Sequence, residues 1–165
     1  ISKDNSEWML SLLTTWDKTN ANTLWIVKHA SRTLIKKGNA RSLSLFNFEK
    51  NVKIKINNFK LSKSKLKIGE TLQFEFDIIS GKPKSQKLVV DFAVHYLKKS
   101  GNSSPKVFKL KELELKANQT VHISKKHRFQ NFTTRKHYSG KHVIEILING
   151  KSVYKKQFEL SIPDK

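Results

Sequence analysis

The stretch Thr71-Leu-Gln-Phe-Glu-Phe-Asp-Ile78 decides the fold. Leu72, Phe74, Phe76 and Ile78 alternate with Thr71, Gln73, Glu75 and Asp77, a period of two that puts the apolar side chains on one face of a strand and the polar ones on the other. Such a strand needs a second layer over its apolar face. The same alternation returns at Val90, Phe92, Val94 and Tyr96 and at Phe158, Leu160 and Ile162. Further strands are expected over Val52 to Phe59, Lys106 to Leu115, Thr120 to Phe129 and His142 to Ile148. Asn149-Gly150 accepts positive φ at both residues at low cost, so a type I′ hairpin turn is expected there. With turn signals at Ser80-Gly-Lys-Pro83 and Ser100-Gly-Asn102, about seven short strands describe an immunoglobulin-like sandwich. It lacks the cysteine pair of antibody domains, and Tyr138, ahead of the His142 strand, is a candidate tyrosine corner.

Upstream of Val52 the period is helical. A helix is expected from near Asn5 to Asp17, with Asp4 and Glu7 spaced like a capping box ahead of Trp8, Leu12 and Trp16. After a turn through Lys18 to Asn22, a second helix runs from Thr23 to Lys37 and is stopped by Gly38; a short segment, Arg41 to Phe46, follows. On the second helix Trp25, Lys28, His29, Arg32 and Lys36 share one arc, while Ile26, Val27, Ala30 and Leu34 centre on the opposite side, widened by Leu24 and Ile35. The apolar side is expected to pack and the basic side to look outward, either as a polyanion surface or as a merely solvated face. Three helical pieces of this size read as the end of a stacked helical-repeat array whose earlier repeats precede Ile1. Residues 1–49 are therefore assigned to the helical part and 50–165 to the sandwich.

Charge narrows the function. The chain of 165 residues carries 33 Lys and Arg against 13 Asp and Glu, a net charge of +20. Self-repulsion of that size disfavours a compact state unless a polyanion offsets it, and nucleic acid is the leading candidate. The field sits mainly in the second part: residues 51–165 hold 25 basic and nine acidic side chains, residues 1–50 eight and four. Lysine supplies 29 of the 33, which favours sequence-independent phosphate contact over bidentate reading of guanine edges. Two stretches contain no acid. One holds Lys53, Lys55, Lys60, Lys63, Lys65 and Lys67; the other holds Lys125, Lys126, Arg128, Arg135, Lys136 and Lys141, with His127 and His137 among them. Strand alternation alone would set lysines such as Lys53 and Lys55 on a wet face. Thr133, Thr134 and Arg135 add donors of the kind that grip backbone phosphates.

Other chemistry is sparse. No cysteine is present, which excludes disulfides and thiolate metal sites, and a cytoplasmic location is the simplest expectation. The histidines lack carboxylates at metal-ligand spacing, so neither a metal nor a cofactor is expected. Gly150-Lys-Ser152 has Glu145 where a phosphate loop needs its first glycine. Asp17, Asp91 and Glu145 are formal general bases for which structural roles weigh more. The formal glycosylation triplets at Asn102, Asn118 and Asn131 keep open an alternative, a secreted or surface immunoglobulin-like module for an acidic polysaccharide.

The runs Trp25 to Gly38, Leu88 to Lys98, Lys106 to Lys111 and Thr133 to His142 together resemble the C-terminal region of DNA alkylation repair proteins of the AlkC type. The resemblance implies the end of a HEAT-like helical repeat followed by an all-β immunoglobulin-like sandwich, α and β in separate parts. It further implies a cofactor-free DNA glycosylase that hydrolyses the N-glycosidic bond of alkylated, cationic bases such as 3-methyladenine. Members of that family grip and bend the DNA backbone, with carboxylates of the helical array stabilising the oxocarbenium-like sugar. Double-stranded DNA and the chain's own upstream repeats are the implied partners of a monomer that does not engage membranes. DNA contact is accordingly assigned to Trp25, His29, Arg32 and Lys36, to Lys125, Lys126 and Arg128, and to Thr133, Thr134, Arg135, Lys136 and His137, and no catalytic role to any residue of this chain.

Overall fold

The computed structural model describes residues 5–131 and 136–163. Three helices, α1 (Ser6–Thr14), α2 (Ala21–Lys36) and α3 (Ala40–Ser44), precede eight strands: β1 (Ile54–Leu61), β2 (Lys65–Lys67), β3 (Thr71–Ser80), β4 (Gln86–Leu97), β5 (Ser103–Leu115), β6 (Thr120–Arg128), β7 (Gly140–Ile148) and β8 (Lys151–Ser161). One sheet has the order β1-β3-β6 and the other β2-β8-β7-β4-β5. Their inner faces bring together Leu72, Phe74, Phe76 and Ile78 of β3, Val90, Phe92 and Val94 of β4, and Ile144 and Ile146 of β7, all 1% exposed or less. The alternation in β3 is thus the core of an immunoglobulin-like sandwich. Asn149 and Gly150 take φ of 49° and 76°, as the hairpin turn between β7 and β8 requires.

Strand ends differ from expectation where alternation is weak. β1 lies two residues later than expected and carries a bulge at Asn58 (φ 54°), which donates from Nδ2 to Asp77 Oδ2 (2.7 Å). β5 starts earlier and tolerates Pro105 because it is an edge strand, where a missing N–H costs no ladder bond. β2 was not foreseen: it is three residues long, with Leu66 alone buried, and pairs parallel to β8. Among the described residues the Tyr138 hydroxyl makes none of the hydrogen bonds of a tyrosine corner.

The helices form a layer on the outer face of the larger sheet. Asn20 caps α2 by accepting from the Asn22 and Thr23 amides. Asp17, for which a structural role was expected, accepts from the Thr19 amide and hydroxyl in the turn between α1 and α2. At the other end of α2, Gly38 (φ 69°) donates to Ile35 O and Asn39 donates to Leu34 O, a Schellman stop. Of the expected capping box, Asp4 lies outside the described residues; α1 starts from Asn5 without a side-chain cap, and Glu7 pairs with Arg41. Met9, Leu10, Leu13, Val27, Leu34, Ile35 and Phe48 pack around Val89, an outward-facing residue of β4. Two backbones touch beside them. A Cβ on Gly150 would lie 2.2 Å from the Gly38 nitrogen, so glycine is required where the α2 stop meets the β7–β8 turn. Asn149 ties the junction together by accepting from the Val89 amide (2.7 Å) and donating to Glu49 O (2.8 Å).

Candidate nucleic-acid interface

The basic arc of α2 is divided by the sheet beneath it. Arg32 donates to both oxygens of Asp91 (2.5 and 3.3 Å), a carboxylate with no exposed surface on the outer face of β4. Lys28 meets Glu112 of β5 at 2.5 Å, and Lys36 donates to Val107 O at 3.0 Å. The expectation that the whole arc looks outward is therefore corrected: Arg32 and Lys36 are drawn down because carboxylates and an edge carbonyl wait there, and burial lowers the Lys36 pKa. Trp25 and His29 do face solvent, stacked with ring centroids 5.1 Å apart and planes 15° from parallel. Ile26, expected on the apolar side, is exposed as well.

The two acid-free stretches behave differently in space. Lys63 contacts Glu70 at 2.7 Å, while Lys60 and Lys65 lie 4.0 Å from Glu75 and Glu159, acids brought in by neighbouring strands. On β6 Asp77 of β3 reaches His122 (2.8 Å) but no acid reaches the lysines. Lys125, Lys126 and Lys136 are exposed and form no ion pair among the described residues, and Arg128 donates from Nε to Gly69 O (3.2 Å). Lys125 stands opposite Phe74, an inward register position at the sheet edge where its charge discourages strand addition. His137 corrects its expectation. It is buried against Tyr96 and Phe129, with Nε2 near Gln130 O (3.1 Å), and presents nothing to a ligand. Thr133, Thr134 and Arg135 lie outside the described residues.

The formal bases have structural partners. Glu145 receives His95 Nε2 at 2.5 Å and Lys155 at 3.4 Å; although burial raises its pKa, bonds from Ser152 and His95 and the Lys155 charge bring it below the usual value. Among the described residues no group of three or more His, Asp or Glu is gathered where a metal ion could bind, and no helix is long and apolar enough to cross a membrane. Sequence reading missed the role of β5. Lys109 and Glu112 line a cleft of about 290 Å³ beside Trp25, His29 and Arg32; their spacing of three would put them on opposite faces of a regular strand, and the register shift against β4 between Val90 and Asp91 brings them together.

A helical layer sealed onto an eight-stranded immunoglobulin-like sandwich, with an unpaired basic edge, defines the class. Residues 55–162 match the family described as "Uncharacterised protein YhaZ, C-terminal Ig-like domain", and the chain belongs to that family. It is 36% identical over 150 residues to the YhaZ protein of Bacillus subtilis, covering 91% of this chain and 42% of the relative. It is also similar to a Pseudomonas fluorescens alkylpurine DNA glycosylase, AlkC, whose structure was solved bound to DNA containing an abasic site analog. That match has a TM-score of 0.94 and 41% identity, and covers 98% of this chain and 45% of that one. The resemblance to AlkC-type proteins with an immunoglobulin-like domain is thus upheld over the helices and the sandwich together. The chain spans less than half the length of both relatives. A β-glucosidase of Listeria innocua shares the fold alone, at 16% identity and a TM-score of 0.55 over 66% of this chain.

Proposed function

We propose that this chain is the DNA-gripping C-terminal part of a DNA alkylation repair glycosylase that removes cationic alkylated bases such as 3-methyladenine. Residues 1–49 close a HEAT-like helical array and residues 50–165 form the clamp; Trp25, His29, Lys125, Lys126, Arg128 and Lys136 face the duplex, and Thr133, Thr134 and Arg135 join them in DNA contact. One observation carries the reading: similarity to a DNA-bound glycosylase extends over 98% of the chain; Lys125 and Lys126 of β6, which no carboxylate of the described residues meets, offer the charge for it. A lesion enzyme must bind any sequence, which lysine contacts to phosphate provide. The polysaccharide alternative gains nothing from the β-glucosidase likeness, which concerns the sandwich only. No acid of this chain is offered as catalytic, because Asp91 and Glu145 are each held by cationic partners.

The test is a fluorescence titration of the 165-residue chain with duplex DNA. If about six phosphates are neutralised, log K falls with log salt at a slope near about −5. Equal affinity at low and moderate salt would sink the electrostatic grip. Release of 3-methyladenine from methylated DNA by this chain alone would show that the catalytic acid lies within it.

A further inference from the structure

Strands β5 and β6 are edge strands of different sheets, so the sandwich is open along that side. At the end of the opening away from Val89, the β4–β5 turn and the connection from β6 to β7 border a cleft of about 280 Å³. Tyr96 lines it, nearly buried, with its hydroxyl 2.9 Å from His127 Nε2. Gly140, at φ 131°, sets the start of β7 against Leu97. Lys98, Lys106 and Lys136 line the cleft from three separate segments, together with Ser104 and Tyr138. Lys106 stands opposite the inward Val94, but no further strand of its own sheet covers β5, so its ammonium group reaches the opening, 5.3 Å from the Phe108 ring. The turn presents Lys98 by bonds from its amide to Asn102 O (2.8 Å) and from the Gly101 amide to its carbonyl (3.0 Å). All three lysines are exposed, and none forms an ion pair among the described residues. No carboxylate lines the cleft, because no Asp or Glu occurs from Leu97 to Lys111 or from Leu115 to Ile144.

We infer that this pocket binds a single phosphate group through Lys98, Lys106 and Lys136. Its source is one phosphate of the duplex backbone, and that part of the inference rests on the DNA-binding reading above. Three like charges gathered without a counter-ion repel one another, and an anion placed among them removes that cost. The ligand is a phosphate rather than a base edge because lysine offers point charges and no planar fork, and arginine is absent from the cleft. The hydroxyls of Ser104 and Tyr138 add O–H donors, which a phosphate can accept on several oxygens at once. Nothing in this set depends on base identity, so the contact holds the backbone at any sequence.

The experiment uses the 165-residue chain and has two arms. In the first, inorganic phosphate is titrated against the labelled chain and read by amide chemical shifts, with chloride at matched ionic strength as the reference. The amides of Lys98, Lys106 and Tyr138 should move saturably with phosphate, and these shifts should vanish in Lys106→Ala with Lys136→Ala. In the second, duplex binding is read by anisotropy at several salt concentrations. The same double variant should make the slope of log K against log salt shallower by about 1, the worth of one phosphate, whereas Lys55→Ala with Lys116→Ala should leave it unchanged. Absence of local phosphate shifts would overturn the pocket; duplex binding by the unaltered chain would then leave the DNA reading standing. Equal flattening by the two double variants would also overturn it, since that would report net charge alone. Local shifts with an unaltered duplex slope would overturn the backbone as the source and point to a free phosphate compound. Failure of the unaltered chain to bind the duplex would overturn the DNA reading, and the first arm would still decide the pocket.

Discussion

Helix α2 and strand β6 both carry closely spaced cations, yet only one of them keeps its charge for solvent. On α2, Arg32 and Lys28 meet Asp91 and Glu112 across the helix–sheet boundary, and Lys36 rests on Val107 O. On β6, Lys125 and Lys126 meet no carboxylate among the described residues, because β3 sets Gln73 and Phe74 beside them rather than an acid. The contrast teaches that the charge of a segment and the field it projects are separate quantities. Cations on α2 fasten one layer to the next; those of β6 are left available to a polyanion.

The comparison breaks most visibly at the buried pair. Arg32→Ala strands the Asp91 carboxylate without its partner, and a loss of about 3–5 kcal/mol is expected in urea unfolding. Arg41→Ala, at the exposed pair with Glu7, should cost no more than about 1 kcal/mol. Equal losses would show that α2 is not fastened by its charges. The second effect is on binding. Lys125→Ala with Lys126→Ala should make the salt slope shallower by about 2 and leave stability nearly unchanged, whereas Lys63→Ala with Lys65→Ala should alter the slope little because Glu70 and Glu159 already lie near. The reverse ranking would move the grip to the opposite sheet edge.

The smallest effect separates core from surface titration. His142 is buried beside Phe158 with Nδ1 against Gly140 O, and its Nε2 has no hydrogen-bond partner among the described residues. Burial pushes its pKa below the ordinary 6.5, outweighing the opposing bond to Gly140. The unfolded chain therefore takes up the proton first: stability is complete above about pH 6.5 and is lost as pH falls through the lower folded-state value. His142→Phe should remove this part of the acid sensitivity, measured as midpoints of unfolding between neutral and mildly acidic pH. An unchanged pH profile in that variant would place the sensitivity elsewhere.

Much of the fold was legible because its signals are local. The alternation in β3 and β4, the Asn149-Gly150 turn and the Gly38 stop each depend on neighbours in sequence, and each appears where the pattern places it. The candidate site was less legible. An amphipathic wheel ranks residues by polarity, so it grouped Arg32 and Lys36 with Trp25 and His29; it contains no information about Asp91, 59 residues away from Arg32. His137 likewise reads as one more member of a basic run, and only the packing of Tyr96 and Phe129 around it shows a core residue.

From the sequence by itself came the class of the sandwich, the helical prelude, the lysine-dominated charge and the resemblance to alkylation-repair proteins, since periodicity, composition and short motifs are properties of consecutive residues. Tertiary structure alone decided which lysines are neutralised and that α2 is sealed to the larger sheet through Gly38, Gly150 and Asn149. It also decided that Trp25 lies over a cleft formed with β5. The reason is that pairing and burial depend on distances between elements far apart in the chain, and strand order in two sheets sets those distances.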